Sequence, residues 1–321
     1  MNRLPEGVLL LERGASEFGL VKPTDVQAFY PKAPIINGLG DEISRIAGDQ
    51  LVRATGYGSA FSGDASKTSL MDLMLIVGNP WTFYRHISQL REVKLGTTRL
   101  PGFHAEFNQD KGNFYLTTLY LPGSVRQAKI AVTPLDELSK HAERGRPGAT
   151  EEKGSLYLAG RMHKAMFPIF VDNASPEERE KIDWSFNRAR IDGIWLALGL
   201  MPRYFDFDQL AGTYVNLSYI ADKRVEKANK SRTLLDKNYE DYQKMLVPML
   251  NGFEEKGIIS RIGGKHGLFE KNVSLSEEDV RKFLKESASN AFKVNFFQNI
   301  WTMGPLNGIL YGLAKVKRAR G

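Results

Sequence analysis

The sequence predicts an α+β fold, with a mixed sheet in the first half of the chain and helices in the second. Three observations carry that expectation. Leu73-Met74-Leu75-Ile76-Val77 is a continuous apolar run, the pattern of a strand buried on both faces. Gly112 to Leu121 is dense in aromatic and β-branched side chains and stops at Pro122-Gly123, as a strand stops at a turn. From Ser175 onward the chain reads as mostly helical. With 321 residues, 42% of them hydrophobic, the chain is long enough for two domains or one large one with a substantial core.

Taken in order, residues 1–40 read as loop and short helix, punctuated by Pro5, Pro23, Pro31 and Pro34. Tyr30 to Gly38 is an approach loop. Asp41 to Ala54 reads as a helix or a helix running into a strand, with Leu51 to Gly56 as the end of that helix. After the apolar strand, Asn79-Pro80 is a stop, and Trp81 to Leu90 is helical. Lys129-Ile130-Ala131-Val132 is a second strand able to pair with 112–121. Thr133-Pro134 then opens a helix through Leu135 and Leu138. Arg144 to Gly154 is a polar, glycine-rich loop. It leads into Ser155 to Lys164, an apolar segment that ends in basic side chains. Ser175-Pro176-Glu177-Glu178 has the form of an N-cap, a first-position proline and first-turn acids. Asn187 to Leu200 and Phe207 to Ala221 are helices by pattern, and Asn229 to Leu250 reads as one long amphipathic helix. Gly252 to Phe269 looks like a small hairpin or wing, and Ser276 caps a further helix.

Composition closes several routes. With no cysteine, a disulfide framework, a thiolate zinc site and a catalytic thiol are excluded. The five histidines, His86, His104, His141, His163 and His266, have no metal-ligand spacing. No apolar run reaches the eighteen residues that a spanning helix needs. The opening residues do not read as a secretory signal or a transit peptide. A formal net charge of +7 and a pI of 9.3 favour acidic partners such as nucleotides, nucleic acid or anionic lipid.

The stretch from Tyr57-Gly58-Ser59 to Met71-Asp72-Leu73 carries the chemistry. A glycine lets the backbone approach a phosphate, and the Ser59 hydroxyl and nearby N–H groups can donate to it. Asp72, at the head of a buried strand, is a candidate ligand for Mg2+, a hard cation that shares its oxygens with substrate phosphates. A Gly-Ser turn followed by an acidic strand is the order found in nucleotidyltransferases. The alternative is a glycine turn before an ordinary strand. Arg161 and Lys164 are three residues apart and would share one helical face, a clamp for a triphosphate or simply a solvated basic helix end. The tail is distinct. Beyond Gly304-Pro305, Leu306, Ile309, Leu310 and Leu313 recur at helical spacing, and Lys315, Lys317 and Arg318 crowd the end. That pattern suits an interfacial helix on anionic lipid, or a terminal helix docked on the core.

Three tracts in order resemble those of the mitochondrial-type CDP-diacylglycerol synthases, also called the mitochondrial translocator assembly and maintenance protein family. The first is Tyr57-Gly58-Ser59 with Met71-Asp72-Leu73. The second is Leu156-Tyr157-Leu158-Ala159-Gly160-Arg161-Met162-His163-Lys164. The third is Leu217-Ser218-Tyr219-Ile220-Ala221-Asp222-Lys223-Arg224. The resemblance covers roughly residues 40–320. Ala60, Ala165 and Ala221 depart from the family's usual residues at the motif edges.

The resemblance implies a nucleotidyltransferase domain over 1–165, a helical winged-helix-like domain over 166–286 and a membrane-associating helical tail over 287–321. It implies that CTP and phosphatidic acid react, with Mg2+, to give CDP-diacylglycerol and pyrophosphate. Gly58 and Ser59, with Tyr57, would bind the nucleotide's phosphates, and Asp72 would hold the metal. Arg161 and Lys164 would neutralise phosphate charge. Ser218, Asp222 and Arg224 would line the cleft from the second domain, or cap helices there. A second acid is missing at its usual spacing, where Leu70 and Met74 stand, which leaves Asp64, Glu106 and Asp136 as candidates. The expected partners are CTP, phosphatidic acid and an anionic membrane surface, with no nucleic acid. The expected place is the periphery of a membrane, either the cytoplasmic face in a bacterium or the matrix face of the mitochondrial inner membrane in a eukaryote. Two other readings stay open: a non-catalytic nucleotide- or nucleic-acid-binding module on the same fold, and a nucleotidyltransferase with another acceptor.

Overall fold

A computed structural model describes the chain at residues 23–25, 28–31, 36–57, 61, 71–90, 93–94, 113–143, 162–164, 169–220, 230–262, 267–287 and 289. The architecture is α+β. Helix α1 (Leu39–Ala47) leads into strand β1 (Leu51–Tyr57), which pairs antiparallel with β2 (Met71–Val77). After α2 (Pro80–Ile87) and the short β3 (Val93–Lys94), β4 (Asn113–Leu121) and β5 (Ser124–Pro134) form a long antiparallel hairpin. β5 then runs parallel to β2. Following α3 (Leu135–Glu143), β6 (Ile169–Asp172) closes the other edge, giving the order β3-β4-β5-β2-β1-β6 among the described residues. The sheet is therefore mixed, as expected.

One expectation fails here. Leu51 to Gly56 is not a helix end but strand β1, and the helix stops at Ala47. Gly48, at a φ of 62° and a ψ of −159°, takes a conformation open almost only to glycine, and its N–H donates to the Ser44 carbonyl. The chain then passes through one 3-10 turn and extends.

The two sheet faces explain the core. Arg53, Thr55 and Tyr57 of β1 stand in register with Ile76, Met74 and Asp72 of β2, and these with Thr133, Ala131 and Lys129 of β5. Helices α3 and α4 (Pro176–Leu200) cover this face. The opposite face, Met71, Leu73, Leu75 and Val77 with Ala128, Ile130 and Val132, packs against Ile43 and Ile46 of α1 and Phe83 and Tyr84 of α2. Side chains alternate along a strand, so a central strand covered on both sides must be apolar throughout. β2 obeys this at every position except Asp72, which is half-buried.

α4 is the axis of the second half. Ser175 and Glu178 form a reciprocal capping box, with Pro176 at the first helical position. From Ser185 to Gly199 every residue is buried, the signature of a helix surrounded on all sides. Arg53, 2% exposed, ties β1 to its start. Its guanidinium donates to Asp172 (3.3 and 3.2 Å), to Asp183 (3.2 Å) and to the Tyr30 hydroxyl (3.3 Å), while Tyr30 donates to Asp183 at 2.7 Å.

Around α4 lie β7 (Tyr204–Asp206), α5 (Phe207–Ile220), α6 (Lys230–Lys237), α7 (Tyr239–Glu255), β8 (Ile259–Arg261), β9 (Leu268–Lys271) and helix α8 over 277–287. Two helices replace the single one expected over 229–250. Asn238 leaves the helical region at a φ of −127° and a ψ of 27°, and its side-chain amide donates to the Leu234 carbonyl at 2.8 Å. Asn competes for local backbone groups in this way and breaks a helix. The hairpin expected over 252–269 is present as β8–β9, with β7 added on the outer side of β9. Ser276 caps α8, its hydroxyl accepting from the Asp279 N–H at 3.1 Å. One apolar cluster runs without a break from Met74 and Ile76 through α4 to Met249 and Phe253.

Candidate active site

The polar break in β2 defines the site. Asp72 is the second residue of that strand, and its register partners are Tyr57 on β1 and Lys129 on β5. Paired residues project from the same face, so an aromatic ring, a carboxylate and an ammonium stand in a row across three strands. The row lies at the end of the sheet where β1 leaves and β2 enters, on the face that α4 and its neighbours cover farther along. Asp72 and Lys129 are half-buried there, whereas Tyr57 is 4% exposed.

Lys164 closes the row from above. Its ammonium sits 5.4 Å from the centre of the Tyr57 ring and 5.4 Å from that of Tyr219 on α5, a cation between two π-faces. Three features fix this position. The Met162 carbonyl accepts from the Nε of Arg190 on α4 at 3.2 Å. The His163 ring packs against the Tyr214 ring at 5.5 Å between centroids. At Gly193 of α4 the helix backbone comes close under both rings. A methyl group there would stand 2.8 Å from Tyr214 Cε2 and 3.1 Å from His163 Cε1 and Nε2. Burial pushes the His163 pKa down to about 3, opposed by the Ala189 backbone and helped by the Arg190 and Lys164 charges. His163 is thus a neutral packing group beside a charged lysine.

Arg190 is wholly buried, and burial pulls its guanidinium pKa down. It lies over the Tyr30 ring at 5.4 Å and the Phe186 ring at 5.6 Å. Its Nη1 and Nη2 have no hydrogen-bond partner among the described residues. The aromatic faces take their place.

The structure brings together Tyr57, Asp72 and Lys164 of the residues expected from the sequence. Lys164 stands in irregular backbone past the turn at His163. Gly58, Ser59, Arg161, Asp222 and Arg224 lie outside the described residues, as do all seven tail positions, Leu306, Ile309, Leu310, Leu313, Lys315, Lys317 and Arg318. So do the candidate acids Asp64 and Glu106. Ser218 lies within α5, one residue before Tyr219, with its side chain outside the description. Asp136 can be set aside as the missing acid. It begins α3, past the far end of β5, and its carboxylate accepts from Lys181 at 2.7 Å. At about 3.3 Å per residue, the five strand steps from Lys129 to Pro134 put it roughly 16 Å or more from the row.

Lys129 and Tyr219 are the participants that the sequence reading missed. Lys129 alternates with Ala128 and Ile130, a signal that gains meaning only once the β2–β5 register is known. Tyr219 stands inside the third tract, and only the packing of its ring against Lys164 marks it apart from its neighbours.

Chemically, the row offers one hard oxygen donor flanked by two ammonium groups. Among the described residues no group of three or more His, Asp or Glu side chains could hold a metal on its own. A single carboxylate still fits Mg2+, which commonly takes one or two carboxylates and completes its shell with water and substrate phosphate.

Residues 150–278 match the sequence model of the family described as phosphatidate cytidylyltransferase, mitochondrial. No curated protein matches the chain. The matched stretch contains Lys164, His163, Arg190, Gly193 and Tyr219, the residues that close the site over the strand row. Over this stretch the chain is similar to the phosphatidate cytidylyltransferase family, an activity that joins CTP and phosphatidic acid into CDP-diacylglycerol and releases pyrophosphate.

Proposed function

We propose that this reaction takes place at the Tyr57–Asp72–Lys129 row under Lys164. The observation that carries the assignment is the placing of one carboxylate and two cations at the open end of the sheet, where Asp72 interrupts an otherwise apolar β2. In the proposed step, a phosphate oxygen of phosphatidic acid attacks the α-phosphorus of CTP. A new P–O bond forms, the bond to the bridging oxygen of the β-phosphate breaks, and pyrophosphate leaves with that electron pair. The nucleophile is already an anion, so the protein needs no strong base. What remains is to bring two polyanions together, a task of positioning and charge neutralisation.

Lys164 and Lys129 supply the cations from opposite sides of Asp72. The Tyr57 and Tyr219 rings limit the motion of Lys164, so its charge is pre-positioned rather than recruited. Gly58 and Ser59, directly after Tyr57, would receive the β- and γ-phosphates, and Arg161 would add a bidentate contact. Ser218, Asp222 and Arg224, at and beyond the end of α5, would face the same cleft. When bound, Mg2+ would neutralise triphosphate charge, with Asp72 as its protein ligand.

The mixed sheet with an acidic central strand supports a nucleotidyltransferase-like domain over 1–165. The α5–α8 helices with the β7–β9–β8 wing support a winged-helix-like domain over 166–286. The tail over 287–321 is assigned to an anionic membrane surface, as a peripheral contact. Among the described residues no helix is long and apolar enough to cross a membrane. The face of the membrane follows the compartment, cytoplasmic in a bacterium and matrix in a mitochondrion.

The test is pyrophosphate release from CTP with vesicle-borne phosphatidic acid and Mg2+, with RNA as the rival acceptor. Asp72→Asn keeps the shape and removes the charge. It should lower turnover by on the order of 10²-fold or more, the size seen when a pre-positioned electrostatic group is removed, and leave the unfolding midpoint in place. Near-normal turnover of that variant would make Asp72 structural.

A further inference from the structure

The β4–β5 hairpin extends beyond the site. Ala128 of β5 pairs with Met71, the first residue of β2, so residues 124–127 and the turn before them project past the end of that strand. The projection is at the Asp72 end of the sheet. Tyr120 and Val125 are register partners across the hairpin and are 57% and 63% exposed. Val125 is four residues before Lys129, so it projects from the same sheet face as Asp72 and Lys129, about 13 Å along the strand.

The usual pattern is inverted here. Leu119 and Leu121, on the other face, are buried, so the outward positions of this hairpin should be polar. They carry an aromatic and a β-branched residue instead. The tip is hollowed into a shallow open cleft lined by residues 120–125. It is also held rigidly. The Tyr120 N–H donates to Glu42 of α1 at 3.0 Å. Gly38, at a φ of 72°, lets Pro122 come so close that a methyl group at 38 would meet Pro122 Cδ at 2.5 Å. The exposure is thus built into the fold.

From these observations we infer that the hairpin tip is a membrane-docking surface, with Tyr120 and Val125 entering the headgroup region of an anionic bilayer beside the site. Charge complementarity selects this occupant. From Asn113 to Leu135 there is no Asp or Glu, whereas Lys129 on this face and Arg126 on the other are cationic. Tyrosine, with an apolar ring and a polar tip, suits the interface between headgroups and acyl chains. A bilayer on this tip faces the same side of the sheet as the row, so a phosphatidic acid headgroup has a short path to Asp72. The inference rests on the proposed function for the identity of the lipid and adds a contact separate from the tail.

The absence of cysteine makes the test direct. Val125→Cys in the full chain gives a single thiol for a polarity-sensitive fluorophore, and Glu255→Cys gives a control on the helical half. With phosphatidylcholine vesicles containing phosphatidic acid, the label at 125 should shift to the blue and be quenched by lipid-borne nitroxide, and the label at 255 should not. In the unlabelled chain, Val125→Asp should raise the vesicle concentration for half-maximal binding by about fivefold, the equivalent of one charge at an anionic surface. A label at 125 that stays in water while the protein sediments with vesicles overturns the proposal. So does failure of the full chain to bind these vesicles. A blue shift already complete without lipid overturns it too, by pointing to a second protein on the tip. If the hairpin enters the bilayer but CTP is not consumed, the docking surface stands and the assigned reaction fails.

Discussion

Gly193→Ala isolates the link between helix α4 and the site lysine. The substitution has two opposing effects. In a helix interior, Ala is favoured over Gly by about 0.8–1.0 kcal/mol. The new methyl would stand 2.8 Å from Tyr214 Cε2 and 3.1 Å from two His163 ring atoms. Neither ring has room to withdraw, since Tyr214 is 1% and His163 2% exposed. Overpacking of this kind costs about 1–3 kcal/mol, so the variant should range from neutral to about 2 kcal/mol less stable. Gly212→Ala, on α5, is the internal standard. Its methyl would find only Leu235 Cδ2, at 4.0 Å, so the helix preference acts alone and stability should rise by about 1 kcal/mol. Urea unfolding at constant m resolves this difference. The kinetic consequence is more specific. Displacing His163 also moves Lys164 away from the Tyr57 and Tyr219 rings, so Gly193→Ala should lower turnover, and Gly212→Ala should not. If both variants gain the same stability, the His163–Tyr214 packing against α4 is wrong, and with it the position of Lys164.

Removing Arg53 leaves two carboxylates facing each other across β6 and α4. Arg53→Met should cost about 2–4 kcal/mol, near the lower end for a broken buried pair because Asp172 and Asp183 keep 26% and 39% side-chain exposure; a loss below the error of chemical denaturation would show that the clamp is dispensable. Lys129→Met should reduce turnover by on the order of 10²-fold with folding intact, and unchanged kinetics would return Lys129 to the strand surface. His163 predicts a pH dependence. Its folded pKa of about 3 lies below the unfolded value, so below about pH 6.5 the unfolded chain takes up a proton that the folded chain refuses. Stability should then fall as pH drops from about 6.5 towards 3, by up to about 1.4 kcal/mol per pH unit from this group. His163→Asn should flatten that part of the profile, and an unaltered slope would place the ring in solvent.

The fold was legible where one local pattern had one solution. The apolar run after Asp72 had to be a strand, and Ser175-Pro176 with Glu178 had to start a helix. Pro122-Gly123 had to turn the chain, although the paired strand reaches back to Ser124 rather than starting near Lys129. The failures came where local propensity meets two outcomes. Leu-Val-Arg-Ala-Thr-Gly suits a helix end as well as a strand, and the ladder to β2 on one side and β6 on the other decided for the strand. Residues 229–250 keep helical periodicity through Asn238, and only the side-chain bond to Leu234 reveals the break.

The site was legible in proportion to how much of it is written in tracts. Tyr57 with Asp72, and Lys164, stand in recognisable stretches, and the fold pairs Tyr57 with Asp72 and sets Lys164 over the Tyr57 ring. Lys129 belongs to no motif. A lysine that alternates with alanine and isoleucine is the ordinary outward residue of a half-covered strand. It becomes part of a site only because the parallel β2–β5 pairing sets it beside the one carboxylate in β2. The same register argument reaches the hairpin tip. Once Lys129 is fixed to the Asp72 face, strand alternation carries Val125 to that face and the hairpin ladder brings Tyr120 with it. The Asp72–Lys129 pair and an exposed apolar pair therefore share one face through a single strand register. A shift of one residue in β5 would bury Lys129 and turn Val125 away from the site together.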